Sequence, residues 1–374
     1  MTIYVQPSTI AYLALSILEP NLSILFPRKL RSAYSIKRFS VITLASLLAA
    51  CGGGGGSGVN ATAPTVPIAP AAPLVTPGDI QSTVPALTYS TDSQEFQFVT
   101  ALNAFRSQVG LGLLAQNTKL DAASANHLAY VLTNDVNNGG TVNFNAYDPA
   151  TGRPLMHIEN PTLSKFTGVQ EADRSKFAGY DGSYTGEEIG FGGGHGSVVV
   201  LNSLVQTVYH RAGLMLQNVR EVGVAVGSDQ SQTVVMELGL KTNQSVASDY
   251  VGVYPTNGQT GVALHTYVEA PNPFPDLSTA NADFPNKTSY PVSISVVTGH
   301  TIAVSTFTVA EAGQATTLDA RLMTSANDPN RYLSSNVAFL IGKAPFKSAT
   351  TYNVTFSGTN NGAAFTKQWS FTTM

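Results

Sequence analysis

Apolar residues keep a helical rhythm in one stretch of the chain and an alternating rhythm in the next. Beyond Asp92, Phe98, Val99, Leu102 and Phe105 recur with Glu95 at helical spacing, which predicts a helix ending near Gly110. A second helix is expected over about residues 121–136, with Ala122, Ala125, Ala129 and Leu132 near one face and Asp121 as first-turn acid or cap. A third is expected over residues 197–209, on a stripe of Val200, Leu201, Leu204, Val205 and Val208. Val222, Val224 and Val226 then alternate, as do Val234, Met236 and Leu238, so a strand pair is joined across residues 227–232. Helices and antiparallel strands in one block make this part of the chain α+β.

Beyond Asn243 the helical spacing stops. Short alternating runs follow around Val251, Val262, Val292–Val296, Ile302, Val337–Ile341, Tyr352–Phe356 and Phe365–Phe371. Asn257-Gly258, Thr298-Gly299 and Asn361-Gly362 punctuate them as turns. Residues 247–374 therefore read as an all-β sandwich.

Composition sharpens the picture at the N-terminal end. Only 11% of residues are charged, against about 25% in an ordinary soluble domain. Residues 1–50 hold five basic groups and one acid, leaving 15 basic and 22 acidic residues in the remainder. An acidic body argues against nucleic acid as a partner and against an electrostatic grip on anionic membranes. Lys37 and Arg38 precede an apolar run over residues 39–50, too short to span a bilayer and of the length of a signal h-region. Residues 52–88 are rich in glycine, alanine, proline, serine and threonine, the composition of a flexible and partly extended tether.

Leu48-Ala49-Ala50-Cys51, with five glycines after it, resembles the lipobox of bacterial lipoproteins. The resemblance implies cleavage before Cys51, the one cysteine of the chain, and a diacylglycerol on its thiol. Gly52 in place of aspartate implies an outer-membrane address, with acyl chains as the attachment to that membrane. The expected organisation is a signal peptide at 1–50, a lipidated tether at 51–88, and folded regions at 89–244 and 247–374.

A second resemblance lies in the order of motifs between residues 92 and 242. Asn103, Arg106 and Gly110-Leu111 come first, then Leu120-Asp121, Ala123 and His127. Met156-His157, Glu159-Asn160-Pro161, Gly186-Glu187-Glu188-Ile189, Tyr209-His210-Arg211 and a run over 222–227 follow. The set resembles the CAP family of cysteine-rich secretory proteins, antigen 5 and pathogenesis-related proteins, in its bacterial branch. It implies a CAP α-β-α sandwich with a cleft lined by His157, Glu187 and His210. Eukaryotic members carry a further glutamate three residues before the second histidine; that place is Thr207 here. The region after it resembles bacterial Ig-like domains, closing on Tyr352, the Asn361-Gly362 turn and Trp369-Ser370-Phe371; Trp369 is expected in the core.

Two imidazoles and a carboxylate from separate segments suit Zn²⁺ or another divalent cation, so His157, Glu187 and His210 are also the candidate metal ligands. None of them has the spacing of a metalloprotease helix. Glu188 reads as solvent-facing or fold-stabilising, and His127 as packed or exposed rather than a ligand. His195, in a glycine loop, could border a cleft, while Arg174 and Arg211 read as structural partners of carboxylates or carbonyls. Glu269 reads as part of an ordered loop. The function that follows is a cell-envelope lipoprotein acting as a non-catalytic binding or scaffolding module for a small ligand, lipid, ion or envelope protein. The alternative is a hydrolase of peptide or ester bonds using His157, Glu187 and His210; no G-x-S-x-G elbow supports it.

Overall fold

Helix α1 (Gln94–Gln108) begins where Ser93 accepts a hydrogen bond from the Phe96 N–H, and it buries Phe98, Val99, Leu102 and Phe105. In this computed structural model the described residues are 75–279 and 284–374. Cys51 and the expected signal segment lie outside them. The end of the expected tether is bonded to the body: Asp79 exchanges backbone hydrogen bonds with Ser245, and Gln81 reaches Leu113 and Arg220.

After the two-residue strand β1 (Ala115–Gln116), helix α2 (Thr118–Asn134) starts earlier than its pattern suggests. Asn117, not Asp121, is its cap, accepting from the Lys119 N–H at 2.9 Å. Asp121 instead accepts from the Val224 N–H and Gln116. Gly223 lies directly against the backbone of Leu120 and Asp121, so only a residue without Cβ lets α2 settle this close. Short α3 (Glu171–Phe177) follows, then β2 (Tyr184–Phe191), α4 (Ser197–Val205), α5 (Tyr209–Leu214), β3 (Glu221–Val226) and β4 (Thr233–Leu240).

The expected single helix over 197–209 is two helices. Thr207 turns its hydroxyl back to the Leu204 carbonyl at 2.7 Å, and the Glu269 carboxylate takes the N–H groups of Val208 and Tyr209 at 2.7 and 2.9 Å. Those donors are thereby withdrawn from a continuing helical ladder.

The four strands form a mixed sheet in the order β1-β3-β4-β2, with β1 parallel to β3 and the others antiparallel. Strand alternation sorts its side chains onto two faces. Val222, Val224, Val234, Met236 and Leu238 join one apolar cluster with α1 and α4. Ile189, Ala225 and Val235 join Leu128 of α2 in another. Helices thus cover both faces, and β2 is an edge strand.

Among the described residues eight further strands follow: β5 (Val251–Tyr254), β6 (Gln259–Val262), β7 (Val292–Val296), β8 (Ile302–Glu311), β9 (Ala320–Thr324), β10 (Val337–Gly342), β11 (Thr351–Asn360) and β12 (Ala363–Thr373). They form two four-stranded sheets, β5-β7-β10-β9 and β6-β12-β11-β8. Val292, Ile294 and Val296 of one share a core with Phe307, Val354, Phe356 and Phe371 of the other, an arrangement consistent with a β-sandwich. Trp369 is buried there against Phe307. Asn361 and Gly362 both take positive φ, 49° and 83°, between the paired Asn360 and Ala363, as a two-residue hairpin turn of type I′ requires.

The described residues belong to one compact unit. Arg211, fully buried, shows how its two parts meet. Its guanidinium donates to the Val205 carbonyl at 2.6 Å and the Pro291 carbonyl at 2.5 Å, and lies over the rings of Tyr290 and Tyr254.

Candidate functional site

Because successive residues of a strand face opposite ways, β2 splits its two glutamates between the sheet's faces. Glu187 goes with the α2–α3 side and Glu188 with the α4–α5 side. Each meets a different histidine.

The side chain of Glu187 is almost fully buried. One carboxylate oxygen accepts from His157 Nδ1 at 2.8 Å and the other from Arg174 at 2.5 Å. His127 Nε2 lies 3.7 Å from the second oxygen. Burial alone would raise this carboxyl, but Arg174, then His127 and His157, more than offset it and hold the group well below the usual carboxylate range. His127 is fully buried, with Nδ1 at 2.9 Å from Glu159 and Nε2 at 2.8 Å from the Met156 carbonyl. Glu159 also accepts from the N–H groups of Thr167 and Gly168. It is therefore engaged as a carboxylate, and both ring nitrogens of His127 face acceptors.

Directly across the ladder from Glu187 stands Glu237 of β4. It is fully buried, its Oε1 lies 3.9 Å from Arg174, and its carboxyl shares a hydrogen bond with that of Glu187. Burial and the neighbouring Glu187 push it well above the usual range, against the pull of Arg174. The pair therefore consists of one ionised and one protonated acid, the arrangement two crowded carboxyls adopt.

On the other face, His210 Nδ1 lies 3.1 Å from Glu269 and 3.1 Å from the Thr207 hydroxyl. Burial alone would lower the His210 imidazolium; the hydrogen bond to Glu269 and the charges of Glu188 and Glu269 more than offset that and raise it. Glu188 occupies space that a Cβ on Gly213 would take. Burial pushes its carboxyl up to about 8, with His210 opposing and Glu269 and Glu187 adding. Glu188 thus lines the cleft beside His210, where the sequence reading had it facing solvent or stabilising the fold.

Both faces open at the β2 edge into two adjoining chambers. The smaller, about 350 Å³, is the more polar of the two: Arg153, Glu171, Glu187, Glu188 and Tyr209 line it beside Pro154, Leu216 and Pro271. The larger, about 830 Å³, is lined by Phe144, Tyr147, Ile189, Phe191, Val199 and Tyr267 among others, and includes His195 and Glu269. His157 and His210 line both. Each uses Nδ1 on a carboxylate, and among the described residues neither Nε2 has a hydrogen-bond partner. Among the described residues no group of three or more His, Cys, Asp and Glu side chains is arranged to hold a metal ion.

Arg174 and Arg211 bond carboxylate and carbonyls as the sequence suggests. Sequence reasoning missed Glu237 and the site role of Glu269. Glu237 has a local signal, an acid inside the apolar run over 234–238. Glu269 has none.

Residues 99–238 match the family model of the cysteine-rich secretory protein family, CAP. This stretch is a CAP-like domain. No curated protein matches the chain. Among solved structures, an extracellular protein containing an SCP domain from Bacillus anthracis is 20% identical, with a TM-score of 0.30. The match covers 40% of this chain and 40% of that one. An outer surface protein from Borrelia burgdorferi is 13% identical over 41% of this chain and 97% of that one, also with a TM-score of 0.30.

Proposed function

We propose that the protein is a cell-envelope lipoprotein, tethered through Cys51, whose CAP cleft binds a small amphipathic ligand without transforming it. The observation that carries this reading is the junction of the two chambers. A largely apolar, aromatic chamber of about 830 Å³ and a more polar one of about 350 Å³ share His157 and His210 as common wall, and small-ligand sites occupy roughly 300–1,000 Å³. A ligand fits with its apolar body against Tyr147, Phe191 and Tyr267 and its polar head at the two imidazoles.

Two hydroxyls lining the larger chamber favour binding over hydrolysis. Ser203 donates to the Val200 carbonyl and Thr207 to the Leu204 carbonyl, so neither offers its proton to an imidazole as an activated nucleophile does. In this reading the C-terminal part is an Ig-like module that supplies one wall of the cleft.

Titration of the full chain with dodecanoate, dodecylamine and dodecyl maltoside tests the proposal. Saturable binding of at least one amphiphile is expected. Phe191→Asp should weaken it tenfold or more, about 1.4 kcal/mol, and His210→Ala should change the preference among the three heads. Absence of binding by all three, or equal affinity in both variants, would overturn it. Turnover of a peptide or ester panel that disappears in His157→Ala would establish the hydrolase instead, and a Zn²⁺ heat lost in both histidine variants would establish the ion.

A further inference from the structure

His210 sits in the part of the chain matched to the CAP family, but the group that fixes its pose does not. Glu269 lies in the connection between β6 and β7, outside residues 99–238. Its carboxylate is nearly buried and gathers four donors from one short segment. One oxygen accepts from the Val208 N–H at 2.7 Å; the other accepts from the Tyr209 N–H at 2.9 Å, the His210 N–H at 3.4 Å and His210 Nδ1 at 3.1 Å. Backbone and ring of the same residue are therefore held by one carboxylate, which leaves the imidazole little freedom about χ1.

The second neighbour of His210 Nδ1 points to the same proton position. Thr207 Oγ1 lies 3.1 Å from Nδ1, but its own hydrogen is given to the Leu204 carbonyl at 2.7 Å. Toward the ring it presents a lone pair. Both oxygens beside Nδ1 are acceptors, so the Nδ1–H form is the one this surrounding accommodates, and Nε2 is left for the cleft. Glu188 from β2 flanks the ring as the further titratable group on that side.

The residues around Glu269 extend the argument from one side chain to a wall. Tyr267, Val268, Glu269 and Ala270 line the larger chamber, and Ala270 and Pro271 the smaller. Thr266 ties this wall to the helix break by donating to the Gln206 carbonyl at 2.5 Å.

We propose that Glu269 is the positioning residue of the cleft, holding His210 as its Nδ1–H tautomer with Nε2 turned to the ligand, so that the chain beyond the CAP-like stretch completes the site. The proposal rests on the cleft being the binding site only for its use; the pose and tautomer are measurable with no ligand present.

The test is ¹⁵N NMR of the histidine rings in the full chain, with His210 assigned by the signal lost in His210→Gln. For neutral His210 the Nδ1–H tautomer is expected in the wild type, and Glu269→Ala should reduce it to a minority, since a free imidazole favours the other form. Glu269→Asp, which keeps the carboxylate, should restore it in part. His157, whose Nδ1 faces Glu187, is the internal control and should hold its tautomer in every variant. A wild-type His210 in the Nε2–H form overturns the proposal without any variant. So does an unchanged tautomer in Glu269→Ala. Failure of every amphiphile to bind, with the tautomers as expected, would remove the proposed ligand and leave Glu269 in its place.

Discussion

Replacing Arg211 with methionine removes the most buried link between the helical part of the chain and the strands that follow it. The guanidinium is fully buried and makes no hydrogen bond to a carboxylate. Its donors go to the Val205 and Pro291 carbonyls and to the Ser293 hydroxyl, at 2.6, 2.5 and 3.4 Å. Its face lies 4.7, 5.0 and 5.8 Å from the ring centres of Tyr290, Tyr254 and Phe339. Methionine fills much of the volume and donates nothing. Two buried carbonyls then lose a partner, at about 1–3 kcal/mol each, and the desolvated cation–π contacts go with them, about 2 kcal/mol. Against this, the cost of keeping a cation out of water is returned, several kcal/mol in comparable sites. The net expectation is a loss of about 2–4 kcal/mol. Trp369, the one tryptophan of the chain, reports on β12 by fluorescence, while far-UV circular dichroism near 222 nm reports chiefly on the helices, as is general for such spectra. In urea the wild type should show one transition by both probes. Arg211→Met should lower its midpoint and separate the two probes, because α5 is no longer tied to β7. A loss below about 1 kcal/mol with coincident transitions would refute the reasoning, since the guanidinium would then be replaceable packing.

Three other outcomes follow from the same description. Cys51→Ser should abolish acylation and release the protein from the membrane fraction; intact mass measurement of the native membrane-associated protein, expected to show a lipid-modified Cys51, checks it. The Glu188 carboxyl, pushed up to about 8 in the fold, binds its proton more tightly there than in the unfolded chain, so its contribution is complete below the unfolded value and is lost as pH rises through about 8. Denaturation midpoints from pH 5 to 9 should fall across that window in the wild type and fall less in Glu188→Gln. Glu187→Gln should cost about 3–5 kcal/mol by leaving the buried Arg174 without its ion-pair partner, whereas Glu237→Gln, replacing an acid that is already protonated, should stay within about 1 kcal/mol; equal losses in urea denaturation would contradict the assignment of the charge to Glu187.

How far the sequence carried depends on whether the determinant of each feature is local. Helix α1 was legible because its buried residues keep their own spacing, and the β11–β12 turn because Asn361 and Gly362 are the residues that tolerate positive φ. The α4–α5 break was not legible. Val208 continues the apolar stripe and is itself fully buried, so the pattern says helix, and the group that ends it stands some sixty positions away at Glu269. Strand β2 was hidden for another reason. Gly186, Glu187 and Glu188 look like a functional motif rather than a strand, because their polarity answers to the cleft and not to the sheet. His157, Glu187 and His210 were found through a family resemblance, and the structure pairs the first two directly. The partners behind them are buried polar side chains, and His127 and Arg174 look in sequence like any polar residue on a helix. Only the fold shows that α2 and α3 bring both side chains to Glu187 of β2.

The segment from Gln206 to Arg211 explains why the cleft and the junction with the C-terminal strands belong to one problem. Consecutive residues in it serve different masters: His210 lines the cleft, and Arg211 is sunk among Tyr254, Tyr290 and Phe339. Tyr209 reaches Asp328 and Asn330 of the C-terminal part. The Gln206 carbonyl and the Val208 and Tyr209 amides are taken by Thr266 and Glu269. A short helix of six residues has little stability of its own, so its position is set by these contacts. A shift of the C-terminal strands would therefore move Arg211 and Glu269 together, and His210 with them. The imidazole cannot follow one anchor without the other, because the same backbone carries both. Rigid placement of His210 is thus a consequence of the junction, and the loss of either anchor should reach the cleft through α5 and leave His157, held from α3 and β2 by Arg174 and Glu187, where it is.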